Sequence, residues 1–170
     1  GLAERVNRLA NGLSEMGVGS GDRVATMQVN TNQCIETYFA AAQLDAIYVP
    51  INFRAKTEEL AQMLEIAGPT VLLLGKRYLS LVPDDRQLSD GIILLDGEAD
   101  GAHKNYEALL AESSPDQMHF PEAGDEDTTV IMFTAGTTGV PKGVMLTHDS
   151  FSSYLLATVE PADPEMEVHL

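Results

Sequence analysis

Cysteine is almost absent from this sequence of 170 residues, since Cys34 is the only one. A single thiol excludes an internal disulfide and any cysteine-rich metal cluster. Cys34 lies among apolar residues of a predicted helix, where an inert buried thiol is favoured over a nucleophile. This cysteine usage is typical of a cytoplasmic protein, and we predict that location.

Long hydrophobic runs are missing as well. No apolar stretch approaches the roughly 20 residues that span a bilayer, so no integral membrane segment is predicted. The sequence also has no basic-then-apolar leader that would indicate secretion. It begins at Gly1 rather than at methionine, and the first helical pattern starts at once. We therefore expect the natural amino terminus to lie further upstream.

Positive charge is scarce, because 10 Lys and Arg oppose 26 Asp and Glu for a formal net charge of −16. This balance excludes nucleic acid, or an anionic membrane, as a partner bound through a broad basic face. It is compatible with a nucleotide, which needs only local positive charge. From residue 105 to residue 170 there are twelve acidic residues and one basic residue, Lys142. That cation lies in a stretch rich in glycine and threonine.

Hydrophobic periodicity predicts helices that alternate with short buried strands. The apolar runs at 71–74 and 92–95 are typical of strands covered on both faces. The pattern predicts an α/β fold, a layered subdomain with a parallel sheet, helices on both faces and right-handed crossovers. The predicted helices are 2–16, about 30–44, 57–67, 105–112 and 147–159, and the predicted strands are 23–29, 46–51, 71–74, 92–95 and 128–133.

Side-chain positions are predicted for two of these helices. Asn30 and Gln33 form a candidate capping pair for the second helix, and Thr147 or Asp149 is expected to cap the last one. Helical spacing also predicts which apolar side chains face the core. In these two helices they are Tyr38, Phe39, Phe151, Leu155 and Leu156.

The stretch 134–143 contains three glycines, three threonines and one lysine in ten residues. Glycines let the backbone approach a ligand, and threonine hydroxyls can donate to phosphate oxygens or ligate Mg²⁺. Lys142 adds a mobile point charge suited to a polyphosphate. We therefore interpret the stretch as a phosphate cradle between a strand and a helix. An ordinary flexible connection is the alternative, but the position of this lysine between Pro141 and Gly143 favours the cradle.

Several other phosphate loops are excluded by residue order. A Walker loop needs Gly-Lys followed by Ser or Thr, whereas Lys142 is preceded by Pro141 and followed by Gly143. The spacing G-x-G-x-x-G of a protein-kinase glycine loop is also absent from 134–143. The sequence GVGSG at 17–21 follows a helix and precedes a strand, which is the reverse of a dinucleotide-binding loop. It predicts a helix end and a turn.

The sequence FTAGTTGVPKG at 133–143, followed by LTH at 146–148, closely resembles the phosphate-loop signature of the adenylate-forming superfamily. That superfamily includes acyl-CoA synthetases, the adenylation domains of nonribosomal synthetases, and luciferases. Ala135 departs from the signature, which usually has a hydroxyl-bearing residue there. Upstream segments resemble the opening of the same family, so that nearly the whole chain is covered: RVNRLANGL at 5–13, GDRV at 21–24, YFAA at 38–41 and VPIN at 49–52.

The resemblance implies an ATP-dependent carboxylic acid–CoA ligase, with Mg²⁺ as the metal and CoA as co-substrate. Such an enzyme converts a carboxylate and ATP into acyl-AMP and pyrophosphate, and then transfers the acyl group to CoA. By the same resemblance, Lys142 neutralises the departing pyrophosphate and Thr134 contacts Mg²⁺. His148 is interpreted as a cap or packing residue. The residues implied to bind the nucleotide are Thr134, Ala135, Gly136, Thr137, Thr138, Gly139, Lys142 and Gly143.

The resemblance also implies that residues 1–170 are an incomplete N-terminal AMP-binding domain. The adenine segment, an acidic Mg²⁺ ligand, the ribose aspartate and the C-terminal lysine domain would all follow Leu170. The isolated chain is therefore expected to be inactive in adenylation. Because a shortened sheet exposes an edge or an apolar face, we expect a homodimer. A non-catalytic remnant that serves as a binding scaffold is the alternative, and Ala135 is the residue that suggests it.

Overall fold

The computed structural model describes residues 1–83, 88, 91–97, 103–134 and 140–158. Within these residues, no helix has the length and apolar character needed to cross a bilayer. A 3₁₀ helix follows the third strand, at Lys76–Leu81. The helices are α1 Leu2–Glu15, α2 Asn32–Gln43, α3 Thr57–Ala67, α4 Tyr106–Glu112 and α5 His148–Thr158, and the strands are β1 Arg23–Met27, β2 Ile47–Pro50, β3 Val71–Leu74, β4 Ile92–Leu94, β5 Lys104–Asn105, β6 Thr128–Thr134 and β7 Lys142–Thr147.

The described strands form one sheet in the order β5-β4-β3-β1-β2-β6-β7. All neighbouring pairs from β5 to β6 are parallel, whereas β7 pairs antiparallel with β6. The predicted α/β fold is confirmed, and the sheet is mostly parallel with one antiparallel edge strand. Mixed sheets of this kind are common in α/β proteins.

Hydrophobic cores lie on both faces of the sheet, because successive side chains of a strand point to opposite sides. On one face, Val24, Leu73 and Ile93 pack against the apolar sides of α1, α2 and α4. On the other face, Leu72 and Leu74 pack against α3 and the 3₁₀ helix. The prediction of helices on both faces is therefore confirmed.

A buried carboxylate joins the three helices on one face. Glu36 of α2 is 2% exposed and accepts hydrogen bonds from Arg5 of α1 at 2.7 Å and from the hydroxyl of Tyr106 of α4 at 2.6 Å. Asn32 donates a further bond to the same carboxylate. Burial opposes the charged form of Glu36, but these hydrogen bonds outweigh it and lower the pKa of the carboxyl. Arg5 also pairs with Glu107 of α4, which closes the joint.

Several helix-face predictions were wrong. Phe39 is 47% exposed, and so are Phe151 by 38%, Leu155 by 55% and Leu156 by 87%. In α5 the reason is position, because the helix follows β7, the last strand of the sheet, and no described element covers its apolar side. Cys34 is half-buried rather than buried.

The two capping predictions had different outcomes. For α2 the N-cap is Thr31 and no side chain caps it, so the pair Asn30 and Gln33 was wrong. For α5, the hydroxyl of Thr147 accepts a hydrogen bond from the amide of Ser150 at 3.2 Å. In return the hydroxyl of Ser150 accepts from the amide of Thr147 at 3.4 Å. This reciprocal arrangement is a capping box and confirms Thr147 as the cap.

Candidate functional site

The glycine-rich stretch joins two antiparallel strands. β6 runs through Thr134 and β7 begins at Lys142, with Thr134 paired to Lys142 and Phe133 paired to Gly143. The prediction of a loop over 134–143 was therefore wrong at its two ends, where Thr134, Lys142 and Gly143 are strand residues, and the strand β7 was not predicted. Residues 142–147 extend along β6 as a strand, and the helix begins only at His148. The connection is a hairpin whose two ends are fixed by the sheet.

Only part of the predicted cradle falls on residues that the structure describes. Thr134, Lys142 and Gly143 belong to β6 and β7, and all three are solvent-exposed. The other predicted cradle residues, Ala135, Gly136, Thr137, Thr138 and Gly139, lie outside the described residues.

Thr134 and Lys142 lie on one face of the hairpin, directly opposite each other. Residues in such cross-strand pairs have Cβ atoms roughly 4.5–5.5 Å apart. Within the described part of the chain, neither side chain makes a hydrogen bond or an ion pair, so the hydroxyl and the ammonium are both open to a ligand. The two groups therefore offer a hydroxyl oxygen and a positive charge side by side at the base of the hairpin loop.

Gly143 allows close packing on the opposite face of the same hairpin. A Cβ at this position would lie 3.0 Å from Cγ2 of Ile131 and 3.6 Å from Cε1 of Phe133. Both of these side chains pack against the core on the α3 side. Because Gly143 has no Cβ, the side chains of Ile131 and Phe133 can pack close to its backbone. Gly143 can therefore offer a phosphate its backbone but no side-chain group.

The hairpin loop lies at the carboxyl end of the parallel sheet, where β6 ends beside β2. The chain leaves β1 towards α2 on one face, and it leaves the neighbouring strand β2 towards α3 on the other. Adjacent strands whose connections diverge in this way form a topological switch point. Ligands of open α/β sheets bind at the carboxyl ends of the strands near such a point.

Outside the pairing of Thr134 with Lys142, neither His148 nor a cluster of metal-ligating side chains among the described residues adds a group to the candidate site. His148 is exposed and is the first residue of α5, whereas the cap is Thr147. The predicted role of His148 as a cap or packing residue was therefore wrong. No group of three or more His, Cys, Asp or Glu that could hold a metal exists among the described residues. The hydroxyl of Thr134 fits Mg²⁺ as a single oxygen ligand, which suits a metal carried mainly by phosphate oxygens and water.

The family profile, the related sequences and the similar structures all indicate the same protein family. The profile of the AMP-binding enzyme family matches residues 1–169. A feruloyl-CoA synthase from Amycolatopsis sp is 38% identical over 153 residues, which cover 89% of this chain and 28% of that protein. A crotonobetaine/carnitine–CoA ligase from Salmonella enteritidis is 35% identical over 153 residues, covering 86% and 30%. ATP-bound MatB from Rhodopseudomonas palustris superimposes with a TM-score of 0.79 at 26% identity, covering 93% and 31%.

The chain spans less than a third of the length of each of these proteins. The similarity nevertheless extends over both sheet faces and the hairpin, since the family profile covers all but the last residue of the chain. By its sequence and its mostly parallel, helix-covered sheet, the chain belongs to the AMP-binding enzyme family.

Proposed function

We propose that the protein containing this chain is an ATP-dependent carboxylic acid–CoA ligase. The carboxylate oxygen attacks the α-phosphorus of ATP, which forms acyl-AMP and releases pyrophosphate. The thiol of CoA then attacks the acyl carbon, which forms the thioester and releases AMP. The relatives support this reaction class, because both are named as enzymes that join an acid to CoA.

The observation that carries the proposal is the pairing of Thr134 with Lys142 at the base of the hairpin loop. A lysine at about 4 Å from a phosphate charge, at an effective dielectric near 20, contributes roughly 4 kcal/mol before desolvation. Negative charge grows on the β-phosphate as pyrophosphate departs. Lys142 therefore stabilises the leaving group where charge develops, which is the form of electrostatic help that accelerates a reaction.

The other nucleotide contacts in the proposal come from the hairpin loop. Backbone amides of Ala135 and the loop glycines hold the β- and γ-phosphates, and the hydroxyls of Thr137 and Thr138 donate to phosphate oxygens. Mg²⁺ supplies charge neutralisation on the phosphates, and Thr134 offers it one hydroxyl ligand. ATP-bound MatB supports the nucleotide assignment, since it shares this fold and binds ATP.

We propose further that residues 1–170 form part of an N-terminal AMP-binding domain, within a cytoplasmic protein that also contains the adenine-binding segment and a C-terminal lysine domain. This division is supported by the share of the two relatives that the chain matches, which is 28% of one and 30% of the other. The 170-residue chain alone then has a phosphate site without an adenine pocket, and it does not form acyl-adenylate. We also propose that it forms a homodimer through its exposed β7 edge.

Two other functions are compatible with the same hairpin, and they differ from the proposed one in the products that are formed. A nonribosomal adenylation domain or a luciferase-like enzyme makes acyl-AMP but does not form a CoA thioester. A non-catalytic remnant, suggested by Ala135, makes neither. Among the residues that the structure describes, Lys142 is exposed and has no partner, which favours the catalytic alternatives because a remnant has no need to keep this cation open to solvent.

The test uses the full-length protein and a panel of aliphatic and aromatic carboxylic acids. Acid-dependent exchange of pyrophosphate into ATP measures the first step, and mass-spectrometric detection of acyl-CoA measures the second. We expect both signals with at least one acid, and loss of exchange in Lys142→Ala but not in Lys104→Ala, since Lys104 lies in β5 at the other edge of the sheet. Exchange without a thioester would favour an adenylation domain, and absence of both would contradict the proposal.

A further inference from the structure

Three side-chain amides line a seam between α1, the end of α2 and the segment that leads from α4 towards β6. Asn7 and Asn11 are one turn apart on α1, and Gln43 is the last residue of α2. Asn7 donates to the carbonyl of Pro115 at 2.9 Å, and Asn11 donates to the carbonyls of Ser114 at 2.8 Å and Asp116 at 2.9 Å. These bonds hold the segment 114–116 against α1.

The orientation of each amide is fixed by its partners. Turning Asn11 over would place its oxygen against two backbone carbonyls, which cannot donate. Asn7 is fixed in the same way by the carbonyl of Pro115, so its oxygen faces Gln43. Gln43 must then present its nitrogen, which donates to Asn7 Oδ1 at 3.0 Å. The assignment of oxygen and nitrogen in all three residues thus follows from the chain's own acceptors.

Two amide oxygens are left over by this network. Asn11 Oδ1 and Gln43 Oε1 are both buried, and neither has a hydrogen-bond donor among the residues that the structure describes. Asn11 itself is only 4% exposed. A buried amide oxygen without a donor costs about 1–3 kcal/mol, and folded proteins satisfy nearly all such groups with protein or ordered water. Both oxygens belong to one seam and need the same kind of partner.

We propose that this seam is a binding site for an internal water molecule that donates one hydrogen bond to Asn11 Oδ1 and one to Gln43 Oε1. Water carries two donors and no charge, which matches two neutral acceptors. An ammonium ion fits less well, because the partners shown for Asn11 and Gln43 in the seam are neutral amides and carbonyls. The water completes the attachment of segment 114–116 to α1 and α2, and so fixes the start of the path to β6.

Access to the seam is provided by an adjoining surface cavity of about 440 Å³. Gln43 and Ser14 line this cavity together with residues 118–120 of the same segment. Asp45 also lines it, but its carboxylate already accepts from the amides of Glu122 and Ala123. The cavity therefore brings solvent to Gln43 at the edge of the seam, with Glu122 as a further acidic residue of its lining.

The test detects water beside the amide side chains of the ¹⁵N-labelled 170-residue chain. We expect the NH₂ protons of Asn11 and Gln43 to give nuclear and rotating-frame Overhauser effects of opposite sign with water, which marks a long-lived contact. Gln43→Met should abolish the Asn11 signal, whereas Gln33→Met on the same helix should leave it intact. Wild-type spectra with no long-lived water contact at Asn11 would overturn the proposal, and so would an Asn11 signal that persists in Gln43→Met.

Discussion

Thr134 and Lys142 are cross-strand partners, and their pairing fixes the two ends of the glycine-rich hairpin loop. The hydroxyl and the ammonium lie on the same face, exposed and unpaired within the described residues. Both strands belong to the sheet, so neither group depends on the loop for its position. The pairing therefore fixes the backbone at Thr134 and Lys142, which would lower the ordering cost of binding a nucleotide at the proposed site.

Thr134 gives the first prediction, since its hydroxyl is the proposed Mg²⁺ contact. In the full-length protein, Thr134→Val should lower the rate of acid-dependent pyrophosphate exchange by up to about tenfold, the effect of one lost hydroxyl interaction. Valine has the same shape and suits a strand, so the fold should be kept. Thr134→Ser, which retains the hydroxyl, is the matched control. Equal exchange rates in the Val and Ser variants across a Mg²⁺ titration would remove Thr134 from the site.

Glu36 gives a stability prediction, because it joins α1, α2 and α4. Glu36→Gln keeps the size of the side chain but leaves Arg5 without its buried carboxylate partner. We expect the free energy of unfolding to fall by about 3 kcal/mol, the usual result of breaking a buried ion pair. Glu65→Gln, at an exposed position of α3, should change it by less than about 0.5 kcal/mol. Urea denaturation, monitored by circular dichroism, measures both changes. Equal denaturation midpoints for Glu36→Gln and Glu65→Gln would contradict the account.

The pH dependence of the same joint has a definite sign. The folded pKa of Glu36 is lower than in the unfolded chain, so its contribution is complete above the ordinary glutamate value and is lost as the pH falls through the folded one. The stability difference between wild type and Glu36→Gln should therefore shrink as the pH is lowered from about 7 to about 3. A difference that stays constant or grows with acid would show that the charge of Glu36 is not what stabilises the joint.

Gly91 gives a prediction about sheet packing just before β4. A Cβ at Gly91 would lie 2.5 Å from the backbone oxygen of Thr70, and the carbonyl of Gly91 accepts from the amide of Leu72 in β3. Backbone cannot move aside as a side-chain end can, so Gly91→Ala should destabilise the fold by about 1–3 kcal/mol. Gly19→Ala is the control, because nothing lies within 4 Å of its added Cβ. Equal melting temperatures for Gly91→Ala and Gly19→Ala would contradict this packing.

The exposed edge at β7 gives a prediction about association. Val144 is 43% exposed and Met145 is 68% exposed on this edge strand, which suits pairing with a second chain. Light scattering should find the 170-residue chain as a dimer at high concentration, and Met145→Lys should shift it towards monomer. Met118→Lys, at an exposed site of the connection between α4 and β6, should leave the dimer unchanged. A wild-type chain that stays monomeric would exclude the homodimer.

Local patterns predicted most elements of the sheet and its helices. The helix at 57–67 was predicted with the observed bounds, because its apolar spacing is regular and Gly68 ends it with a left-handed φ of 52°. β7 was missed, since its first residues, Lys142 and Gly143, belong to the glycine-rich stretch and its strand partner is recognisable only from pairing. The exposed face of α5 was missed for a related reason. Periodicity indicates an apolar side but not whether anything covers it.

The candidate site shows the same division between local and distant information. Composition and residue order located the stretch at 134–143, but the pairing of Thr134 with Lys142 required a strand that the sequence did not reveal. The joint at Glu36 was equally beyond sequence reasoning. Its partners Arg5 and Tyr106 are 31 and 70 residues away, and a lone glutamate in a helix is ordinarily solvent-exposed.

Isothermal titration calorimetry of Mg²⁺–ATP with the 170-residue chain tests most directly the proposal that the hairpin binds phosphate. We expect weak binding by the wild type, a loss of about tenfold or more in Lys142→Ala, and no change in Lys104→Ala. Lys142 begins β7 at the base of the hairpin loop, whereas Lys104 lies in β5 at the opposite edge of the described sheet. Adenosine, which lacks phosphates, should not bind. Equal affinities in the wild type and Lys142→Ala, or no detectable Mg²⁺–ATP binding by the wild type, would contradict the assignment of this hairpin to a nucleotide's phosphates.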